Sequence, residues 1–335
     1  MNLPLVSVVI IGRNEGQRLV RCLQSVVQGS GDACQLEIIY VDSASVDDSV
    51  SVATSLGALA LPLTGGRLSA ARARNAGWRA AHGQFILFLD GDTVLHPDFL
   101  CHALASMKDE ETSVVWGHRR EMSPQQSVYV RVLDLDWIYP PGESDFCGGD
   151  ALMRRVSLEA CGGFNDALIA GEEPEMCSRI RAAGGHILHM DVPMTSHDLA
   201  IVSFSAYWRR AYRAGHAYAQ VAQLCRSQPG QLWSNEVRGN WLRGGVLLFS
   251  PLFLFAAYLA DPVIFLVALL AACAVLCRSA LLTRAKSKQL STRILYAVHS
   301  HFQHLPMLFG QLGFHLDCLL GRQRGLIEYK QGSAQ

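Results

Sequence analysis

Phe85-Ile86-Leu87-Phe88-Leu89-Asp90-Gly91-Asp92 is an unbroken apolar run that ends abruptly in two carboxylates one residue apart. A run of this kind bounded by turn chemistry predicts a strand buried on both faces, which requires a sheet covered by helices on either side. The two acids then emerge at the strand's carboxyl end, where open α/β sheets bind ligands. Unpaired carboxylates are costly to bury there, so the pair either forms a solvated Asp-Gly-Asp turn or faces a cation. Oxygen ligands suit Mg²⁺ or Mn²⁺, and those ions suit a diphosphate.

The neighbouring segments fit the same sheet. Val6 to Ile11 reads as a buried strand by its β-branched content, and Gly12-Arg13-Asn14-Glu15 turns it into a helix carrying Leu19, Cys22, Leu23, Val26 and Val27 at helical spacing. Leu36 to Val41 is a second strand, ended by Asp42-Ser43-Ala44-Ser45, with a helix over Val50 to Leu56 behind it. A helix from about Leu68 to Ala81 leads into the Phe85 strand. Three strand-then-helix units in a row predict parallel strands with right-handed crossovers. Beyond Asp92 the pattern predicts a helix over Pro97 to Met107, a strand over Ser113 to Trp116, and a polar excursion from Glu121 to Asp145. The helix Met176 to Ala183, opened by Gly171-Glu172-Glu173-Pro174-Glu175, precedes a short strand at His186 to Met190, and His197-Asp198 follows.

Half of the residues are hydrophobic and only 17% are charged, so a full core and a membrane part are both expected. Lys+Arg and Asp+Glu are both 29, but residues 201 to 335 hold 14 basic and 4 acidic side chains, which favours anionic lipid headgroups at that end. Nucleic acid is not the expected partner, because these basic residues flank apolar stretches instead of interleaving with exposed aromatics. Between Gly244 and Cys277 only Asp261 is charged, and Asp261-Pro262 splits the stretch in two. The first piece would be about 25 Å long, just short of a ~30 Å hydrocarbon core. A transmembrane hairpin or a re-entrant, interfacial pair is expected. Arg238 and Arg243 before it, and Arg278, Arg284, Lys286 and Lys288 after it, place both ends in the cytoplasm. The amino terminus has no positive stretch and no apolar core long enough for a signal peptide, so the first domain is expected at the cytoplasmic side of the inner (plasma) membrane. The ten cysteines form no Cys-x-x-Cys pair and predict neither a disulfide framework nor a zinc site.

Seven motifs, in order along residues 5 to 200, give the chain a family likeness. They are Ser7-Val8-Val9-Ile10 with Arg13-Asn14-Glu15; Val41-Asp42-Ser43-Ala44-Ser45-Val46-Asp47; Ala71-Arg72-Ala73-Arg74-Asn75-Ala76-Gly77; Phe88-Leu89-Asp90-Gly91-Asp92; Gly148-Gly149-Asp150; Gly162-Gly163-Phe164-Asn165-Asp166; and Gly171-Glu172-Glu173-Pro174-Glu175-Met176. Each alone is weak, but the ordered set resembles the family 2 glycosyltransferases of the GT-A fold. The resemblance implies an α/β domain over residues 1–200, with a mixed, mainly parallel sheet flanked by helices. Linker or interface helices (201–243), the hairpin (244–277) and a basic interfacial segment (278–335) would follow.

It also implies roles. Asn14, Glu15 and Asp42 would line the nucleoside pocket, and Arg74 and Asn75 would lie beside the nucleotide. Asp92 would bind a divalent cation, Mn²⁺ or Mg²⁺, with Asp90 orienting sugar or ribose and His197 completing the coordination. Gly149 and Asp150 would lie on the acceptor side. Glu173 would be the base that takes the acceptor hydroxyl's proton, with Glu172 as its substitute; about 100° separates consecutive helical residues, so only one is expected to face the hydroxyl. Plainer readings remain for each: a turn pair at Asn14-Glu15, a solvated helix face at Arg74-Asn75, a structural histidine at His197, and glutamates that offset a helix dipole. The expected activity is inverting transfer of a sugar from a nucleotide-diphosphate donor to a lipid-linked or surface-polysaccharide hydroxyl. A nucleotidyltransferase of similar fold, or a non-catalytic membrane-bound protein that binds nucleotide sugars, is the alternative. An oxidoreductase is not expected, because Gly29-Ser30-Gly31 has no third glycine and no preceding strand.

Overall fold

The structure is a computed structural model and describes residues 3–29, 31, 33–227 and 231–322. Ser30 and the 323–335 part of the expected basic segment lie outside the described residues. Among the described residues the chain divides into two units, one running to Ser123 and resuming over Tyr139–Leu199, the other formed by Pro124–Ile138 and residues 200–322.

In chain order the first unit opens with β1 (Leu5–Gly12), α1 (Gln17–Gly29), β2 (Gln35–Asp42), α2 (Ser49–Ser55), β3 (Leu59–Pro62) and α3 (Ala70–Ala80). It continues with β4 (Phe85–Asp90), β5 (Thr93–Leu95), α4 (Phe99–Ser106) and β6 (Thr112–Glu121). Helix α5 (Val128–Asp136) belongs to the other unit. The first unit then resumes with β7 (Gly142–Glu143), β8 (Ala151–Arg154), α6 (Arg155–Cys161), α7 (Glu172–Ala182) and β9 (His186–His197). One sheet has the order β3-β2-β1-β4-β8-β6-β9-β5, with β7 also on β9. Strands β1 to β4 are parallel, and β8 enters antiparallel between β4 and β6. This is the mixed, mainly parallel α/β architecture expected of the sequence.

The core sits where the apolar runs placed it. Val8, Val9 and Ile10 of β1, Ile39 of β2 and Ile86 to Leu89 of β4 have no exposed surface. Cutting one such leucine to alanine typically costs about 2–5 kcal/mol. Helix α3 lies close on this sheet because Gly77 has no Cβ to collide with Val9. Not every expectation held in detail: Val27, expected on the inner face of α1, is 56% exposed. The strand expected to end at Met190 runs on to His197, so His197 is the last residue of β9 and not part of a following loop.

The second unit consists of α5, α8 (Phe204–Leu224), α9 (Ser234–Ala260), α10 (Pro262–Leu282), α11 (Leu290–Phe302) and α12 (His304–Leu319). Helices α9 and α10 are long and apolar enough to cross a bilayer, and none of the side chains of α10 is buried. Asp261 caps α10 through Val263 N at 2.6 Å, with Pro262 at the first helical position. Helices α8 and α12 meet along a glycine seam: a Cβ on Gly215 would strike the Met307 backbone, and one on Gly310 would strike the Tyr212 carbonyl. The expected polar excursion contains α5, started by Ser127, whose hydroxyl accepts from Val130 N at 3.0 Å. Asp136 at its end receives Tyr296 Oη (2.9 Å) and His299 Nε2 (3.0 Å) of α11, and Tyr207 Oη of α8 lies 2.8 Å from His299 Nδ1.

Candidate active site

The register of the sheet gathers the expected residues at one edge. Gly12 pairs with Asp42 and Ile11 with Asp90, so β1, β2 and β4 all end there, while β8, running the other way, begins there just after Asp150. Asp42 is buried; its Oδ1 accepts from Tyr40 Oη (3.0 Å) and Ser45 Oγ (2.5 Å), and its Oδ2 accepts from Ser45 N (2.9 Å). Asn14 adopts a left-handed φ of 54° and spans two turns: its N–H donates to Ser45 Oγ (2.9 Å) and its Oδ1 accepts from Val46 N (2.8 Å). The stem of Glu15 lies against Gly12 and Gly91, where a Cβ would come within 2.9 and 3.1 Å of its Cγ, and its carboxylate meets Arg18 at 3.0 Å. Asn14, Glu15 and Asp42 are therefore assembled beside the Asp90-Gly91-Asp92 turn.

Arg74 is the centre of charge. Only 2% exposed, it reaches Asp90 Oδ1 through Nη2 (2.9 Å) and both Glu172 Oε1 (2.8 Å) and Glu173 Oε1 (3.0 Å) through Nη1. A single buried guanidinium thus serves three carboxylates. The two glutamates converge on one nitrogen despite their ~100° separation, because each has a side chain long enough to swing toward it. They differ in exposure: the Glu172 side chain is 4% exposed and the Glu173 side chain 15%. Burial, then the adjacent Glu172 carboxylate, push the Glu173 carboxyl up to about 7 against the pull of Arg74. Gly149 leaves room for this cluster, since a Cβ there would lie 2.7 Å from Arg74 Nη2, 3.1 Å from Asp90 Oδ2 and 3.3 Å from Glu173 Oε1.

Asp150 is 1% exposed and works from beneath. Its Oδ1 accepts from Asp90 N (3.1 Å) and its Oδ2 from Thr195 Oγ1 (2.8 Å), and burial raises its pKa. Asn75, also 1% exposed, is committed elsewhere: Nδ2 donates to Phe164 O and Asp166 Oδ1, both at 2.7 Å, while Oδ1 accepts from Trp78 Nε1 (2.8 Å) and Phe164 N (3.0 Å). It ties α3 to the 162–166 turn.

Asp90, Asp92 and His197 offer ligand atoms that all lie within 4.8 Å of one another. Asp92 Oδ1 is 3.2 Å from His197 Nε2, and both side chains are nearly buried. Asp198 N donates to Asp92 O (3.1 Å), fixing the end of β9 against the turn. Two carboxylates and an imidazole form a donor set that fits a divalent cation of the Mn²⁺ or Mg²⁺ type.

Residues 7–162 match the family model described as Glycosyl transferase family 2. The chain carries a family 2 glycosyltransferase domain. The matched stretch begins in β1 and takes in Arg74, Asp90, Asp92 and Asp150, while Glu172, Glu173 and His197 lie beyond it. Glycosyltransferase AglE of Haloferax volcanii is 23% identical over 261 residues, covering 75% of this chain and 84% of that protein. The pre-mycofactocin glycosyltransferase of Mycobacterium tuberculosis is 26% identical over 260 residues, 72% of this chain but only 52% of that protein, so the chain spans about half of that relative. Among solved structures, the mannosyltransferase PcManGT of Pyrobaculum calidifontis, in complex with GDP-Man and Mn²⁺, superposes with a TM-score of 0.66 at 19% identity. That match covers 93% of this chain and 88% of PcManGT, and establishes a shared fold.

The structure also brings to Asp150 two residues that the sequence did not single out. Arg119 of β6, whose Nη1 is 3.9 Å from Asp150 Oδ2, and Thr195 of β9 are register partners on the β6–β9 side of Asp150. No motif marks them. Only the full length of β9, hidden by polar residues such as His189, Asp191 and Ser196, would have pointed to Thr195.

Proposed function

We propose that this glycosyltransferase is inverting, and that it moves a sugar from a nucleotide-diphosphate donor to the hydroxyl of a lipid-linked or surface-polysaccharide acceptor at the cytoplasmic face of the plasma membrane. The observation that carries the reading is the Arg74 cluster, which places Asp90 of the cation group and the Glu172–Glu173 pair on one guanidinium. Asp92, Asp90 and His197 would hold the divalent cation. When bound, such an ion neutralises charge developing on the departing diphosphate. The Mn²⁺ and GDP-Man in the PcManGT complex support both the cation and the donor class.

In this mechanism Asn14, Glu15 and Asp42 shape the nucleoside side of the site. Glu173, engaged with Arg74 through Oε1, takes the acceptor hydroxyl's proton on Oε2. The hydroxyl oxygen then bonds the anomeric carbon as the bond to the diphosphate breaks on the opposite face. A carboxylate whose pKa is near neutrality is both deprotonated in a useful fraction and basic enough to hold the proton. Glu172 and burial set that basicity, and Arg74 fixes the position. The exposed apolar surface of α9 and α10, with basic residues on both flanks, supports membrane attachment.

Isothermal titration of the full chain with GDP-mannose and other nucleotide sugars, with Mn²⁺ and with EDTA, tests the reading. Donor binding should require the cation and vanish in Asp92→Asn. Undiminished binding in EDTA overturns the cation assignment. Native cysteines test the membrane: a charged maleimide should label exposed Cys101 in intact membranes and spare Cys273 and Cys277 of α10 until the bilayer is dissolved. Equal labelling of all three removes the hairpin from the membrane.

A further inference from the structure

We propose that Tyr139 and Phe146 form a stacking platform for a sugar ring of the acceptor, backed by Trp116, His118 and His189. The saccharide class rests on the glycosyltransferase reading; the platform itself rests on geometry. Trp116 of β6 and His189 of β9 are register partners whose rings stack at 4.1 Å and 21°. Tyr139 packs on Trp116 at 5.7 Å, Phe146 meets Tyr139 edge-on at 5.5 Å, and His118 meets His189 edge-on at 4.9 Å. Trp116 and His189 are buried, Phe146 is half-buried, and Tyr139 is 36% exposed, so the cluster presents an aromatic face outward.

Its position points to the acceptor. Val115 pairs with Leu152, and Leu152 with Leu87, so Trp116 stands abreast of Phe88, two residues before Asp90. Residues abreast across a ladder share a face of the sheet, and side chains two apart on a strand share it too. The aromatic cluster therefore lies on the same face as Asp90, displaced toward β6 and β9 and away from the β1–β2 side that holds Asn14 and Asp42. Phe146 leads directly into Cys147-Gly148-Gly149, and Gly149 abuts Arg74, Asp90 and Glu173. Arg119 fills the space beside Gly148, its Nη1 2.9 Å from where a Cβ would sit.

Two polar atoms of the backing rings are enclosed with them. His189 Nδ1 lies 2.8 Å from the Pro140 carbonyl, which can only accept, so Nδ1 carries the proton and Nε2 is an acceptor. Neither His189 Nε2 nor Trp116 Nε1 finds a hydrogen-bond partner among the described residues. A sugar ring offers an apolar C–H face that suits the outward aromatic surface of Tyr139 and Phe146.

Saturation-transfer NMR on the full chain in nanodiscs, with methyl α-D-mannopyranoside and methyl N-acetyl-β-D-glucosaminide as probes, tests this. At least one glycoside should receive saturation at its ring C–H protons. Tyr139→Ala should weaken that binding about tenfold, the weight of one stacked ring, and Tyr139→Phe should restore it. Absence of transfer to either glycoside in the wild type, or unchanged binding in Tyr139→Ala, overturns the platform. Titration with nucleotide sugar on the same samples separates the two readings. If Tyr139→Ala loses donor and glycoside together, the platform belongs to the donor and the acceptor assignment falls. If the wild type binds glycoside through Tyr139 but no nucleotide sugar, the platform stands and the transferase reading falls.

Discussion

Glycine does opposite work in the two units. At the sheet edge of the first unit, Gly149 yields its space to charge, leaving Arg74, Asp90 and Glu173 within 3.3 Å of its missing Cβ. In the second unit, Gly215 and Gly310 yield their space to backbone, bringing α8 and α12 together at Met307 and Tyr212. The neighbours at Gly149 are the ends of side chains, which can retreat at the expense of their hydrogen bonds. Those at Gly215 and Gly310 are main-chain atoms, which move only if a helix moves. A methyl group at the first position should thus damage chemistry and spare the fold, and at the second the reverse.

The sharpest contrast is expected from the proposed base. Glu173→Gln should lower single-turnover transfer by about 10²–10⁴-fold while sparing donor affinity. A near-normal rate, with Glu172→Gln the inactive variant, would move the base by one residue. Next in size, Gly149→Ala should cost about 10²-fold in rate, as a small displacement of reacting groups does, with no material change in thermal melting. If it melts early instead, the glycine serves packing and the comparison fails at its first arm. Gly310→Val should destabilise the helical unit by about 1–3 kcal/mol, seen as a lower melting midpoint, while the folded fraction still binds nucleotide sugar. Wild-type melting would show that the helix backbones are not in contact.

The smallest effect is a pH profile. A protonated Glu173 cannot accept a proton, so kcat/KM should rise with pH, about tenfold per unit well below the inflexion, and level off above about 7. Glu172→Gln removes the neighbouring negative charge and should move that inflexion to lower pH. An inflexion near the ordinary carboxylate value in the wild type would show that burial and Glu172 do not set the base.

The elements legible in the sequence were those with an uninterrupted apolar signal. Strands β1, β2 and β4 and the helix between Leu68 and Ala81 follow from buried runs and turn residues, and the acids at their ends follow from the sheet being parallel. Strands β3, β5 and β7 are too short to carry a period, and β9 is masked by alternating polar residues that its neighbours bury. Helix α5 was concealed in a polar stretch, although Ser127 supplies a cap signal ahead of Val130, Leu133 and Leu135. Arg74 shows a different limit. A motif assigns an arginine to an anionic site, but it cannot tell a bound phosphate from the protein's own carboxylates, and here the carboxylates hold it. The aromatic cluster of Trp116, Tyr139, Phe146 and His189 left no pattern because its members come from separate strands and loops.

Helix α5 has a consequence for biosynthesis. The chain leaves the α/β unit after β6, makes α5, and returns at Tyr139, yet the side chains that hold Asp136 are Tyr296 and His299. On a ribosome, the first unit can complete its sheet once β9 emerges, while Asp136 of α5 waits for partners made 160 and 163 residues after it. Closing so long a loop adds little entropic cost at equilibrium, because that cost grows only with the logarithm of length. The cost is in time: until α11 arrives, Asp136 lacks the side chains that hold it, and the nascent chain carries an incompletely packed helix. A chain cut before α8 would keep all the acidic groups of the site and still carry an orphaned helix between β6 and β7.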